Sequence, residues 1–557
     1  MYDLQAFVKA LDRQGELLHI HEEVDPTLEI AEIHRRIVQQ KGKALFFHNV
    51  KNSKFPVVTN LFGSDARVEL AFGKEPENFI KDLVDMVQGP MPPKIGSLWK
   101  LKRMLSLGLK KSSRAPVTEC VMDPPDLDAL PLLKTWVDDG GHFITLPLVY
   151  TSYKNSNNLG MYRIQRFDKC TTGLHFQIGK GGGFHFAQAE ELNEKLPVTI
   201  FVGGPPALTM AAIAPLPENV PELIFASLLQ GKKLATSHVA GHPHPLIAAC
   251  DFALVGHANP HERRLEGPFG DHFGYYSLAH EFPVFHCKKI YHRKDAIYPA
   301  TVVGKPIQED LYIGNYLQKL FSPLFPLVMP QVRSLHTFAE TGFHPLAAAI
   351  VKERYEKEAL AAAFRILGEG QLSLTKFLII TDQPIDLTNA KELLETVLAR
   401  FSPTSSLYIF SKTSNDTLDY TGPKLNRGSK CVLIGTGKVK RDLPKISPIK
   451  NGVAYCAGCL VVDGEFDLEK LTDWPLVIQV DDAKKTTSSS LEFLWTVFTR
   501  FDPASDIHPR ACVVKNHHIS YSLPLLIDAR MKSHYPPEVI VDDATKELVD
   551  RKWSRYF

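Results

Sequence analysis

The chain has 557 residues, enough for two to four domains with separate cores. Its apolar fraction of 44 %, charged fraction of 23 % and formal charge of +2 are those of an ordinary globular protein, which excludes wholesale disorder and argues against a nucleic-acid partner. Eight scattered cysteines fit reduced thiols better than a disulfide framework.

The chain opens Met1-Tyr-Asp-Leu-Gln-Ala-Phe, with acidic and polar residues where a secretory signal has a basic end and an apolar core, so a cytoplasmic protein is expected. Leu4, Phe7, Val8, Leu11 and Leu18 recur at helical spacing and predict an amphipathic helix from Leu4 to Leu18, followed by a short β/α unit. Between Lys94 and Arg114, the residues Lys100, Lys102, Arg103, Lys110 and Lys111 alternate with Leu98, Trp99, Leu101, Leu105, Leu107 and Leu109. This stretch reads first as a surface helix with a solvated basic edge, and second as a peripheral contact with an anionic membrane. The character changes at Ala115-Pro-Val-Thr, which sets a first domain at residues 1–115.

From Leu146 to about Gly304, short apolar runs such as Val198-Thr-Ile-Phe-Val, punctuated by glycine and proline, predict a barrel-like β domain with inserted helices, bounded as residues 116–315. In Asn157-Asn158-Leu-Gly-Met161-Tyr162-Arg163-Ile-Gln165-Arg, strand alternation puts Arg163 and Gln165 on the side of Met161. An arginine there suits a carboxylate or phosphate clamp, although surface arginines on strands are commoner. His175-Phe176-Gln177-Ile-Gly179-Lys180-Gly181-Gly-Gly-Phe-His185 sets a lysine among four glycines, which offers N–H groups and a charge to an anion. The Walker and dinucleotide spacings are absent, and a flexible turn is an equal reading. Glu218 and Glu222, after the prolines of Ala214-Pro-Leu-Pro, stand at a helix start where they either cap the helix or bind a metal. His238-Val-Ala-Gly-His242-Pro-His244 reads as packed or surface histidines before it reads as a metal site.

The densest motif is Leu265-Glu266-Gly-Pro-Phe-Gly-Asp271-His272-Phe-Gly-Tyr-Tyr276. Its glycines and proline fix a tight loop, and that loop carries two carboxylates beside an imidazole and two phenols, which is more titratable chemistry than a structural turn needs. Paired carboxylates in an apolar pocket are expected to have their proton affinities pushed apart, leaving one as an acid for proton transfer to carbon.

Beyond Tyr312 a helical, proline-interrupted linker over residues 316–340 leads to an α/β region at 341–540 and a tail at 541–557. The run Leu320 to Val328 is cut by Pro323 and Pro326 and is too short to cross a bilayer. Phe377-Leu-Ile-Ile-Thr-Asp382 with Val397-Leu-Ala-Arg-Phe-Ser-Pro403 is echoed by Leu476-Val-Ile-Gln-Val-Asp-Asp482 with Val497-Phe-Thr-Arg-Phe-Asp-Pro503. This near-repeat predicts duplicated β/α units in a mostly parallel sheet. Cys456 and Cys459 form a lone Cys-x-x-Cys pair whose zinc reading would need His517 or His518, so packed thiols are favoured.

In this order the segments resemble the UbiD family of prenylated-FMN decarboxylases over nearly the whole chain: Leu130-Pro-Leu-Leu-Lys-Thr-Trp-Val-Asp-Asp-Gly-Gly, Asn158 to Arg163, the glycine-rich loop, Pro215-Leu-Pro-Glu, Glu266 to Asp271 and Asp295-Ala-Ile-Tyr-Pro. The resemblance implies an α+β multidomain protein with a small α/β N-terminal domain, a central split β-barrel like flavin reductases, and a C-terminal α/β domain used in homo-oligomerisation. It implies a catalytic network of Arg163, Glu266 and Asp271, the last as proton donor. It also implies prenylated-FMN contacts from Met161, Tyr162, Arg163, His175, Phe176, Gln177, Lys180 and Gly181. Asn158 and Glu222 match positions holding a divalent metal, usually manganese, with potassium as a further ion. Many relatives place a histidine where Gly179 stands, so His175 or His185 is expected to substitute. A carboxylic acid that returns a proton to carbon requires a raised pKa for Asp271 or Glu266.

The C-terminal third, with Asp416-Thr-Leu-Asp-Tyr-Thr-Gly-Pro-Lys, Ile527-Asp-Ala-Arg-Met-Lys and Trp553-Ser-Arg-Tyr-Phe557, resembles the longer branch associated with menaquinone synthesis by the futalosine route. That branch implies 1,4-dihydroxy-6-naphthoate as substrate, against a polyprenyl-hydroxybenzoate of ubiquinone synthesis, and a flavin prenyltransferase as cofactor supplier. A catalytically silent flavin-binding scaffold is the reading from another class.

Overall fold

A computed structural model describes residues 2–88, 107–177, 180–216 and 220–557. Gly179, Glu218 and the basic stretch up to residue 106 lie outside the described residues. The chain divides into two compact units, residues 1–320 with 537–557, and residues 321–536.

In the first unit, α1 (Leu4–Arg13) is capped by Asp3, which accepts a hydrogen bond from the Ala6 N–H, and it buries Leu4, Phe7, Val8 and Leu11. It stops short of the expected Leu18 because Gly15 takes a φ of +70° that ends the helix. Leu17 and Leu18 instead begin β1 (Leu17–Ile20). After α2 (Glu29–Gln39), β2 (Ala44–Phe47) pairs parallel with β1, and β3 (Val57–Thr59) pairs antiparallel with β2.

The central sheet has seven strands. Its path runs β7 (Thr171–Gly173), β10 (His280–His292), β9 (Phe252–Glu266), β8 (Leu196–Val202), β5 (Leu148–Tyr153) and β6 (Ser156–Gly160), with β4 (Cys120–Met122) on the far part of β10. All these pairings are antiparallel. The register of β9 against β10 shifts after Val255 and after Ala258, the bulges by which a long sheet curves. Pairing among the described residues follows an open path rather than a closed ring.

The expected boundary at 115 falls inside this unit because one core runs through it. Ile33, Leu45 and Val57 pack in the same cluster as Leu133, Val149, Ile200, Leu254 and Phe285. Each such side chain contributes about 1.5–3 kcal/mol by leaving water. Two helices, α3 (Gly181–Glu191) and α4 (Glu222–Gln230), are inserted among the strands of the central sheet; the strand β11 (Tyr298–Pro299) then completes the N-terminal sheet on β3, and α5 (Glu309–Phe321) follows. The expected tail is not separate. It forms the chain's last helix, Asp543–Tyr556, whose Val549 and Tyr556 join that core and whose Lys552 and Tyr556 hydroxyl reach Glu29 at 2.6 and 2.5 Å.

The second unit begins in the expected linker, but Pro323 and Pro326 break the helix and Val332–Thr337 is already strand β12. Two five-stranded sheets follow. The first runs β12, β13 (Leu346–Val351), β14 (Phe377–Thr381), β16 (Gly428–Gly435), β15 (Leu407–Thr413). The second runs β17 (Gly452–Cys456), β18 (Cys459–Val462), β19 (Leu476–Gln479), β21 (His518–Asp528), β20 (Ile507–Lys515). Order and strand sense are the same in both: antiparallel, parallel, parallel, antiparallel. The near-repeat is thus a duplication of a whole sheet, and the two copies share one core in which Phe377, Leu394 and Leu433 meet Leu476, Phe493 and Ile527. Cys456 and Cys459 are free thiols in that core.

The copies are not equivalent. Lys376 and Lys430 precede the paired residues Phe377 and Cys431, whereas Pro475 and Pro524 precede Leu476 and Leu525. A 14-residue connection joins β15 to β16 where a two-residue turn, Asn516-His517, joins β20 to β21. That connection supplies Asp419, whose carboxylate meets the buried Lys376 ammonium at 2.8 Å.

Candidate active site

Glu266 is the last residue of β9, and its side chain is fully buried. The chain then turns through Gly267, at a φ of +96°, into a two-residue ladder of Phe269–Gly270 on Tyr276–Ser277. The loop is held from the segment between β4 and β5. Asp139 accepts from the Gly270 N–H at 2.8 Å and, through its other oxygen, from the N–H groups of Thr135 and Trp136 and the Thr135 hydroxyl at 2.9 Å each. Gln165 accepts from the Gly267 N–H at 2.7 Å and donates to the Gly140 carbonyl at 2.9 Å. Gln165 is therefore a brace of this loop, not a partner of Met161 on one strand face, because residues 161–163 leave the strand geometry on which that expectation rested.

Arg163 spans the two carboxylates. Its Nε and Nη2 donate to the two oxygens of Glu266 at 2.9 and 3.0 Å, a bidentate pair, while Nη1 donates to Asp271 at 2.6 Å and Nη2 also to the Ser277 hydroxyl at 2.9 Å. The guanidinium lies 5.2 Å from the centre of the Phe269 ring. His175 Nδ1 lies 3.0 Å from Glu266, and His272 Nδ1 lies 2.8 Å from Asp271.

The expectation of a raised carboxyl pKa is overturned in this arrangement. Burial alone would raise Glu266, but the Arg163 charge and the His175 hydrogen bond outweigh it and hold the carboxyl at about 2. Burial opposes ionisation of Asp271 too, and there the His272 hydrogen bond and the Arg163 charge drive its pKa well below the carboxylate range. Arg163 and the two histidines together keep both carboxylates ionised.

The second half of the site lies around the start of α3. A β-carbon on Gly181 would lie 2.2 Å from Asn158 Oδ1, and one on Gly182 would lie 2.7 Å from the Phe176 ring, so the glycines admit close backbone approach. The Tyr162 hydroxyl accepts from the Gly182 N–H at 3.2 Å and from Asn158 Nδ2 at 3.3 Å, and its ring stands edge-on to Phe176 at 5.2 Å. Lys180 precedes the helix and Gln177 is half-buried beside it. Glu222, the first residue of α4, accepts from the Leu159 N–H at 3.1 Å, and burial raises its pKa. Glu222 is thus tied to the residue next to Asn158, and the two are oxygen donors, one of them a half-buried carboxylate with no cation paired to it among the described residues, a pair whose chemistry fits a hard divalent ion. Among the described residues no group of three or more His, Cys, Asp and Glu completes a metal shell.

Of the expected substitutes for a histidine at 179, His175 is bound to Glu266 through Nδ1 while its buried Nε2 has no hydrogen-bond partner among the described residues, and His185 Nδ1 pairs with the Thr151 hydroxyl at 2.9 Å. His242 and His244 are packed on the Thr199 hydroxyl at 2.6 and 3.0 Å. Reasoning from sequence missed the roles of Asp139, which holds the Gly270 N–H, Trp136, whose indole packs against Gly270, and Ser277, whose hydroxyl accepts from Arg163, because each acts on a segment distant in the chain or on a neighbour no spacing announces.

Three family models match in chain order: the N-terminal domain of 3-octaprenyl-4-hydroxybenzoate carboxy-lyase over residues 8–87, its Rift-related domain over 109–306, and its C-terminal domain over 311–435. A Chlamydia caviae protein is 52 % identical over 578 residues, covering all of this chain and 99 % of its own. A 4-hydroxybenzoate decarboxylase subunit of Chlamydia pneumoniae is 52 % identical over 575 residues, covering all of this chain and 98 % of its own. Among solved structures, the closed form of vanillic acid decarboxylase from Sedimentibacter hydroxybenzoicus superposes with a TM-score of 0.71 at 26 % identity, over 81 % of this chain and 94 % of that one. The UbiD-class enzyme HmfF of Pelotomaculum thermopropionicum, in complex with FMN, shares the fold with a TM-score of 0.65 at 22 % identity, over 81 % and 97 %.

The three family matches, together with this multidomain α+β fold, make the protein a carboxy-lyase. The chain belongs to the UbiD family, whose members of this kind decarboxylate aromatic acids.

Proposed function

We propose that the protein is a prenylated-FMN-dependent, non-oxidative and reversible decarboxylase of a hydroxylated aromatic acid. The observation that carries this reading is Arg163 joined to both Glu266 and Asp271 in a site whose side chains are nearly closed to water. When bound, the prenylated flavin supplies an electron sink for the carbanion left as CO₂ departs. Asn158 and Glu222 hold its divalent ion, manganese in this reading, with potassium alongside. Met161, Tyr162, His175, Phe176, Gln177, Lys180 and Gly181 surround the cofactor.

The residues' own work follows from their geometry. Among the described residues, Arg163 is the only cation bonded to either carboxylate besides the two imidazoles, and its planar donors suit a substrate carboxylate equally well. An incoming carboxylate that competes for the guanidinium weakens its hold on Asp271, whose proton affinity then rises toward that of an acid. Glu266, fully buried and tied to both Arg163 and His175, keeps the arginine in place. Asp271 delivers the proton to carbon.

For the substrate, the longer C-terminal region supports 1,4-dihydroxy-6-naphthoate, in menaquinone synthesis. The name of the Chlamydia pneumoniae relative favours 4-hydroxybenzoate, and a polyprenylated hydroxybenzoate is the third member of the same class. A flavin prenyltransferase supplies the cofactor, and the chain works in the cytoplasm as a homo-oligomer, with peripheral membrane contact through the basic stretch. The test is co-expression with a flavin prenyltransferase, mass spectrometry of the released small molecules, and product assays on the three acids. Prenylated FMN near one per chain with turnover of one acid supports the reading. Prenylated FMN bound without turnover or solvent deuterium exchange into any of them would establish the scaffold instead.

A further inference from the structure

The two oxygens of Asp271 have different neighbours. One takes the 2.6 Å bond from Arg163, and the other takes 2.8 Å bonds from both the backbone N–H and Nδ1 of His272. The side chains of Arg163, Glu266 and Asp271 are 7 %, 0 % and 12 % exposed, whereas that of His272 is 30 % exposed. Of this cluster the imidazole has by far the largest face toward water. Asp310, the second residue of α5, is within electrostatic reach of both His272 and Asp271, with burial raising its own pKa, and Phe273 lies edge-on to the imidazole at 5.1 Å.

Decarboxylation consumes one proton per turnover: the C–C bond to the carboxylate breaks, its electron pair stays on the ring carbon, and a C–H bond forms there. The carboxyl group that gives this proton must recover one from water. Arg163 cannot provide it, since a guanidinium does not release protons near neutral pH. Glu266 is sealed from solvent and ionised.

We propose that His272 is the proton reservoir of the site. At rest the proton sits on its imidazole, paired with the Asp271 carboxylate. It passes from Nδ1 to Asp271 when a substrate carboxylate engages Arg163, and the ring is then reloaded from water. His272 acts through Asp271 and touches no reacting atom, so it is a positioning and relay residue. The proposal rests on the decarboxylase reading above, which makes a proton donor necessary.

The test uses His272→Gln, whose amide keeps a donor against Asp271 yet cannot carry a proton, and His272→Ala. With loaded enzyme, His272→Gln should lower kcat about 10- to 100-fold while KM stays within about threefold. Added imidazole should restore His272→Ala by about tenfold, rising with the imidazolium fraction. In the cofactor-free protein, ring-nitrogen NMR should show the histidine signal missing from His272→Gln to be doubly protonated at neutral pH, and Asp271→Asn should move it toward the neutral ring. A kcat for His272→Gln within about twofold of the parent, no rescue by imidazole, or a neutral ring would each overturn the proposal. A parent that turns over no aromatic acid would instead count against the decarboxylase reading, and the NMR result would still decide where the proton rests.

Discussion

Gly270 and the indole of Trp136 claim the same space: a β-carbon on Gly270 would lie 2.1 Å from Trp136 Cδ1. The indole is pinned there by its own N–H, which donates to the Val303 carbonyl at 2.9 Å, and by the Arg35 guanidinium 4.2 Å from its ring centre. Gly270→Ala should therefore displace the Asp271 loop. Overpacking of this kind costs about 1–3 kcal/mol, and a shift of the acid by about 1 Å should lower kcat about 100-fold. Thermal melts and steady-state kinetics of the loaded enzyme check both effects.

Glu266→Gln should retain the flavin but reduce turnover by at least about a thousandfold, because a neutral amide cannot hold Arg163 by charge. Arg163→Met carries the larger stability cost. It leaves the buried Glu266 carboxylate without its cation, at a cost of about 3–5 kcal/mol, so the melting temperature should fall far more than in Glu266→Gln. Equal losses in the two variants would contradict the charge assignment.

Gly181→Ala tests the cofactor half separately. The new methyl would press on Asn158 Oδ1, so Mn²⁺ affinity, read by electron paramagnetic resonance titration, and flavin retention should each fall about tenfold or more, with little change in melting temperature. Unchanged metal binding would remove Asn158 from the shell.

Acid should weaken the fold before it protonates the carboxylate network. Burial holds His34 and His244 at about 3, so both stay neutral when folded and take up a proton in the unfolded chain below the ordinary 6.5. Their contribution is complete above pH 6.5 and is lost as pH falls toward 3, at about 1.4 kcal/mol per pH unit for each histidine. Glu266, held at about 2, adds a loss only below its ordinary 4.5. Urea unfolding at pH 7, 6 and 5 should show the histidine slope, and His244→Gln should reduce it.

The sequence made the chemistry legible where a motif concentrates it. Glu266, Asp271 and Arg163 meet, Gly181 lies against Asn158, and Glu222 bonds the N–H of the neighbouring Leu159. The duplicated sheets were visible because apolar strands and their helices recur with the same flanking residues. What stayed hidden was set by long-range contact. Nothing local tells that Asp139 fastens Gly270, 131 positions away, or that the terminal helix returns to Glu29. The carboxyl pKa expectation failed for a related reason: it counted two like charges and left out the one cation between them.

The shared core of the duplicated sheets sets a problem of timing during synthesis. The first sheet is complete at Gly435, but the residues that cover its inner face, including Leu476, Phe493 and Ile527, are translated over the next hundred or so positions. At about 5–20 residues per second, Phe377, Leu394 and Leu433 wait on the ribosome for roughly 5–20 seconds without their facing layer. The second unit should therefore need a holding chaperone while the inner face of its first sheet is uncovered.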